Sequence, residues 1–256
     1  MAKVIAIINQ KGGVGKTTTA VNLSALLGAM GQRVLMIDLD PQGNTTSGLG
    51  MEVDDKSIYE VIMGRMKLAD VMEETEFKNL SIAGSDVRLA NAELELVEVE
   101  KREYRLKTAV QSVQQDFDFI FIDCPPSLGL LTINALGAAD SVLIPIQCEY
   151  YALEGVASLM NTISRVKKTI NPHLEIEGVL LTMLDGRTNL GLQVVDEVKK
   201  HFKKQVYATV IPRSVRLGEA PSHGEPIHVY DKRSAGCVAY VNLAKEVLKR
   251  NNIKVK

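Results

Sequence analysis

The chain has 256 residues, 46% hydrophobic and 24% charged, with 19 Gly and 8 Pro; these proportions exclude a disordered or collagen-like chain and provide a core that needs no covalent staples. Three cysteines, Cys124, Cys148 and Cys237, lie far apart without a C-x-x-C pair, which argues against a disulfide framework or a zinc site. Formal net charge is only −1, yet residues 180–256 hold 14 Lys/Arg against 7 Asp/Glu while residues 1–179 hold 16 against 24, so the C-terminal part is a candidate surface for a polyanion.

In chain order, apolar runs rich in Val and Ile predict strands over residues 3–9, 33–38, 80–83, 118–123, 141–146, 176–182 and 206–210. Between them the spacing predicts helices over 17–30, closing at Gly31, and over 89–115, 130–138, 153–169, 190–202 and 235–249. The strands are nearly all apolar instead of alternating, which means burial on both faces. The expected fold is therefore α/β: a doubly wound, mainly parallel sheet with helices on both faces and ligands at the carboxyl ends of its strands. No repeat or Pro/Ser-rich linker interrupts it, so residues 1–256 read as one domain, with the acidic stretch 51–103 as an inserted helical layer. The N-terminus lacks a basic region followed by a long apolar one, and no run reaches about 18 uninterrupted apolar residues. Neither secretion nor membrane spanning is expected.

Directly after the first strand comes Gly12-Gly13-Val14-Gly15-Lys16-Thr17-Thr18, opening a helix. Small residues let backbone N–H groups converge on an anion at a helix N-terminus whose dipole favours negative charge. In such a loop the lysine, Lys16, reaches the β- and γ-phosphates and the following hydroxyl, Thr17, ligates Mg2+. The usual first Gly of the motif is replaced by Gln10, and a second lysine, Lys11, precedes the glycines.

Two carboxylate sites complete the pattern. Asp38 and Asp40, at i and i+2, lie on one side of a strand end before Pro41 and Gly43 stop it. A carboxylate there can position an attacking water, although Asp38 suits a structural hydrogen-bonding role equally well. Asp123 ends an apolar run in the manner of a Walker B acid and is expected to hold Mg2+ directly or through water. No [NT]-K-x-D tetrad for reading guanine occurs, which makes ATP the expected nucleotide.

The segment NQKGGVGKTT resembles the deviant Walker A loop of the signature-lysine P-loop ATPases. Together with DLDPQGNTTSGLG, IDCPPSLGLLTINAL, QCEYYALEG, GVLLTMLDGRTNLG and VIPRSVRLGEAPSHGEPI, in this order over nearly the full length, it resembles the short ParA (Soj) chromosome-partitioning ATPases. The resemblance implies a cytoplasmic, nucleoid-associated homodimer, an ATP-dependent sandwich that binds double-stranded DNA without sequence preference. Its weak ATPase would be stimulated by a ParB-type centromere-binding protein. Carried over by position, Lys11 reaches the opposite nucleotide, Lys16 and Thr17 hold phosphate and Mg2+, Asp40 supports hydrolysis and Asp123 is the Walker B acid. Adenine would sit against Met183 and the turn at 211–213, including Pro212 and Arg213. The DNA surface would draw on Arg187, Arg216, Lys232, Arg233, Lys245, Lys249 and Arg250, with Arg213 open to either task.

Three rival readings share parts of this pattern. A MinD-like membrane-switching ATPase requires a C-terminal amphipathic helix, whereas Val238, Val241, Ala244, Val247 and Leu248 look like a core stripe and the tail 251–256 offers little apolar area. A small-carboxylate kinase of the dethiobiotin synthetase type leaves the basic C-terminal part unexplained. An iron protein resembling nitrogenase reductase needs a second suitably spaced cysteine beside Cys124.

Overall fold

The computed structural model describes residues 1–149 and 155–253. The chain begins with β1 (Lys3–Ile7), α1 (Lys16–Ala29), β2 (Val34–Asp38) and a short α2 (Asn44–Gly48). It continues through α3 (Ile58–Ile62), α4 (Leu68–Val71), β3 (Met72–Glu74), β4 (Leu80–Ala83), α5 (Ala92–Glu95) and α6 (Arg105–Val113). Then follow β5 (Phe119–Asp123), α7 (Leu130–Ala138), β6 (Ser141–Gln147), α8 (Val156–Thr169), β7 (Glu175–Leu184), α9 (Asn189–Phe202) and β8 (Val206–Pro212). The C-terminal part closes with α10 (Val215–Glu219), α11 (Ile227–Tyr230) and α12 (Ala235–Arg250).

The eight strands form one sheet in the order β3-β4-β2-β5-β1-β6-β7-β8, parallel throughout except for β3. Strand side chains alternate between two cores. Val4, Ala6, Leu35, Ile37, Ile120 and Ile122 face one; Ile5, Ile7, Met36, Phe119 and Phe121 face the other, where α1 and α12 pack. Burial on both faces is what an all-apolar parallel strand requires. Because β5 is inserted between β1 and β2 while β6 adds on the far side of β1, the chain diverges from β1, and the carboxyl ends of β1, β2 and β5 share one crevice.

Two expectations fail. The helix predicted over 89–115 is broken into a 3-10 turn, α5, a second 3-10 turn and α6. Buried Leu89, Ala92 and Leu96 keep helical spacing, as do Leu106, Val110 and Val113. Between the two sets the apolar face lapses: Val97 is exposed and Val99 only partly buried among Glu98, Glu100 and Lys101, and Lys101 turns into the left-handed region at φ +54. The stretch 51–103 is also more than a helical layer, since it supplies β3 and β4 at one sheet edge. The start of the helix expected over 153–169, and residues 150–154 of the QCEYYALEG segment, lie outside the described residues.

Candidate functional site

The loop between β1 and α1 sits at the crevice. Gly13 and Gly15 take φ +72 and +90, values an L side chain adopts only with strain. Gly15 caps α1, which has no side-chain cap, so the first-turn N–H groups are left for an anion. The loop is pinned from behind: Thr182 at the end of β7 donates from Oγ1 to the Val14 carbonyl at 2.8 Å, and Asn9 donates to the Pro145 carbonyl at 2.7 Å while accepting from the Lys11 N–H at 3.0 Å. Lys16 is buried, and among the described residues its ammonium reaches only the Lys11 carbonyl, at 3.4 Å. Burial holds its pKa below the ordinary value against the pull of Asp123. An anion bound in the loop would satisfy it.

Asp38 and Asp123 end neighbouring strands in register, both fully buried. Asp123 Oδ2 accepts from Thr17 Oγ1 at 2.8 Å and from Thr45 Oγ1 at 2.7 Å, while its Oδ1 is buried without a partner among the described residues. Burial, with Asp38 alongside, pushes the Asp123 carboxyl up to about 7. Asp38 is raised to about 6 by burial, opposed by hydrogen bonds from Thr46. Two charged carboxylates this close are uncomfortable without a cation. A free carboxylate oxygen, a threonine hydroxyl and an adjacent phosphate loop make a donor set that fits Mg2+, which takes one or two protein oxygens and completes its shell with phosphates and water. No group of three or more His, Cys, Asp or Glu that could form an all-protein metal site occurs among the described residues.

Asp40 is 9% exposed and accepts from the Gln42 N–H at 3.0 Å. Its N–H donates to Asp38 Oδ1 at 3.2 Å, so Asp38 acts here as a structural acceptor that shapes the turn carrying Asp40. Cys124 follows Asp123 in full burial, with its thiol pushed well above the usual range; among the described residues all three cysteines are free and buried.

Met183, Pro212 and Arg213 line one cleft of ≈ 180 Å³ with Gly15, Thr18, Ser214, Leu217 and Tyr240. Met183 takes φ +53, a strained value for a side-chain-bearing residue. Arg213 is tied by an ion pair of 2.8 Å to Glu149 at the cleft mouth, a partner that sequence reasoning missed.

The basic residues expected to meet DNA divide into two groups. Arg187 is paired with Asp185, and Arg216 with Glu219 and Asp231. Arg250 is a structural clasp: its guanidinium lies 3.9 Å over the Tyr207 ring, pairs with Glu246 and donates to the carbonyls of Glu177, Gln205 and Val206. Lys232, Arg233, Lys245 and Lys249 are exposed and make no ion pair among the described residues.

A glycine-rich loop after the first strand of a doubly wound sheet, a buried lysine and hydroxyl at the start of the next helix, and an acid at the end of a neighbouring strand define a P-loop nucleoside-triphosphatase. The model of a family described as an AAA domain matches residues 2–176. The sporulation initiation inhibitor protein Soj of Bacillus subtilis (strain 168) is 59% identical over 249 residues, 96% of this chain and 98% of that protein. The chromosome partitioning protein ParA of Myxococcus xanthus (strain DK1622) is 51% identical over 256 residues, 99% and 90% of the two chains. A solved structure described as cobyrinic acid a,c-diamide synthase from Mycobacterium smegmatis, with bound ADP and magnesium, superposes with a TM-score of 0.87 at 38% identity, covering 98% of this chain and 96% of that one. The chain belongs to the Soj/ParA family of chromosome-partitioning P-loop ATPases.

Proposed function

We propose that the protein is a Mg2+-dependent ATPase of one domain that, as an ATP-bound sandwich homodimer, holds double-stranded DNA without sequence preference and releases it when a ParB-type partner stimulates hydrolysis. The observation carrying the nucleotide part is the meeting of Lys16, Thr17 and Asp123 around the uncapped start of α1, with Asp40 within electrostatic reach of Lys16. In this reading the N–H groups of 12–18 cradle the phosphates and Lys16 neutralises the β- and γ-oxygens. Thr17 and the free Oδ1 of Asp123 hold the Mg2+, which supplies charge neutralisation of the transferring phosphoryl group. Asp40 orients the attacking water, and Lys11, half-buried at the loop mouth, crosses to the partner subunit's nucleotide. Adenine occupies the cleft by Met183 and Pro212.

The DNA part rests on Lys232, Arg233, Lys245 and Lys249, which are exposed and make no ion pair among the described residues, and under it the protein would sit on the nucleoid in the cytoplasm. A MinD-like membrane role is disfavoured by α12. Ala244, Val247 and Leu248 of its apolar stripe are at most 1% exposed and pack into the core, leaving Val238 as the exposed member. No described helix is long and apolar enough to cross a membrane. Co-sedimentation with duplex DNA and with liposomes, each with ATP and with ADP, tests the proposal: pelleting with DNA and ATP alone is expected. Pelleting with liposomes and ATP would favour the membrane reading.

A further inference from the structure

Beside the P-loop, two buried threonines on α2 have hydroxyls with no role in the reading so far. Thr45 is 0% and Thr46 4% exposed. Thr45 gives its single hydroxyl proton to Asp123 Oδ2 at 2.7 Å, the oxygen that also accepts from Thr17 at 2.8 Å. Thr46 donates to Asp38 Oδ2 from both N and Oγ1, at 2.9 and 2.8 Å, and its Oγ1 accepts from the Ser85 N–H at 3.0 Å. Consecutive residues of one short helix thus each grip one of two in-register carboxylates. The turn carrying Asp40 leads directly into that helix.

Packing alone does not require these hydroxyls. A valine has the shape of threonine, and burying a hydroxyl without a partner is costly, so each is retained with an acceptor opposite it. With both donors on Oδ2, Asp123 is held in one rotamer and its other oxygen is left without a partner among the described residues. Thr17 can ligate a cation through a lone pair while its proton stays on Asp123, and Thr45 needs no rearrangement for the same event.

From this geometry, and resting on the nucleotide–metal reading above, we infer that Thr45 is a positioning residue: its hydroxyl orients Asp123 toward the Mg2+ and ties the Asp40 turn to the metal site through α2. Partners that orient a metal-binding group typically cost 10–100-fold in metal affinity or activity when lost.

The test reads nucleotide binding apart from turnover. Dissociation constants of a fluorescent ADP analogue are measured with Mg2+ and with EDTA. Wild type is expected to bind more tightly with Mg2+. In Thr45→Val the Mg2+-dependent gain should fall by roughly tenfold while binding in EDTA stays unchanged, because the phosphate cradle is intact. Thr45→Ser should restore the gain. An undiminished gain in Thr45→Val, or an equal loss in Thr45→Ser, would overturn the inference. Should Thr45→Val fail to fold by circular dichroism, Thr45→Ala against Thr45→Ser decides in the same way, equal behaviour counting against a hydroxyl role. A wild type with no Mg2+-dependent gain would bring down the nucleotide–metal reading itself, and the inference with it.

Discussion

Asp38 and Asp123 illustrate how one residue's chemistry depends on its neighbours across a sheet. Each ends an apolar strand, and parallel pairing sets them side by side in the dry interior. Burial raises both carboxyl pKa values, to about 6 and about 7. A folded-state value above the unfolded one means the folded protein binds more protons through the interval, so stability is fully present below about 4 and is lost as pH rises toward about 7. Asp123→Asn removes that loss and keeps acceptors for Thr17 and Thr45. Without ligand the variant should melt above wild type at pH 7 by at least about 3 °C, roughly 1 kcal/mol for a chain of this size, with a smaller difference at pH 5. Scanning calorimetry at both pH values checks this, and a variant less stable than wild type at pH 7 would contradict the assigned burial cost. Asp40 belongs to a different case, held by a backbone N–H at the crevice. Asp40→Ala should bind ATP and form the dimer but lose hydrolysis by at least about 100-fold, the lower range for a positioned proton-handling group. Light scattering with ATP and phosphate release together test it. The P-loop and Asp123 were legible in the sequence because each carries a signature in its own neighbourhood, a glycine-rich loop before Lys16 and an apolar run ending in the acid, although the two lie 106 residues apart. Thr45 and Thr182 were not, since their partners lie 78 and 168 residues away and nothing in their own neighbourhood marks the pairing.

At the level of elements, strands were the most legible, because an all-apolar run between helices has few other readings. The antiparallel β3, with sequence MEE and a partly exposed pattern, carries no such signal; it is strand only because β4 offers it an edge. Helix α1 shows two opposing effects at Gly28. Alanine there would gain up to about 1 kcal/mol in helix propensity, but its Cβ would stand 2.4 Å from the Lys78 carbonyl oxygen, which is backbone. Overpacking of this kind costs about 1–3 kcal/mol, and fixed backbone puts the site at the upper end. Gly28→Ala should therefore lower stability by about 1–2 kcal/mol net in urea unfolding, and a stabilised variant would show that the 78–79 turn gives way freely. At the other sheet edge, β8 is protected by α12: Glu246 accepts from the N–H groups of Ala208 and Thr209 at 2.8 and 3.0 Å. Such capping keeps an edge strand from pairing with another chain.

Over the whole molecule the uneven charge read from the sequence takes on a finer form. The excess of Lys and Arg after residue 180 is not one uniform surface, because the arginines are largely committed to acids or carbonyls while Lys199, Lys203, Lys204, Lys232, Arg233, Lys245 and Lys249 make no ion pair among the described residues. Composition counts Lys249 and Arg250 alike. Structure separates them: Lys249 is exposed, whereas Arg250 clasps α12 to β7 and β8 over Tyr207. In the proposed dimer each subunit contributes the same face, so one substitution removes two phosphate contacts. Each contact adds about −0.9 to the slope of log affinity against log salt. Lys249→Gln should flatten the slope by about 1.8, equally on unrelated duplexes since phosphate contacts carry no base information, and leave the melting temperature unchanged. Arg250→Gln should do the converse, lowering the melting temperature through the loss of its carbonyl and ring contacts while the slope stays near that of wild type. Fluorescence anisotropy on two duplexes from low to physiological salt, with ATP and with ADP, reads both effects. A slope changed by Arg250→Gln alone would move the DNA face onto the clasp, and equal binding with ADP and ATP would remove the dimer from the account of how DNA is held.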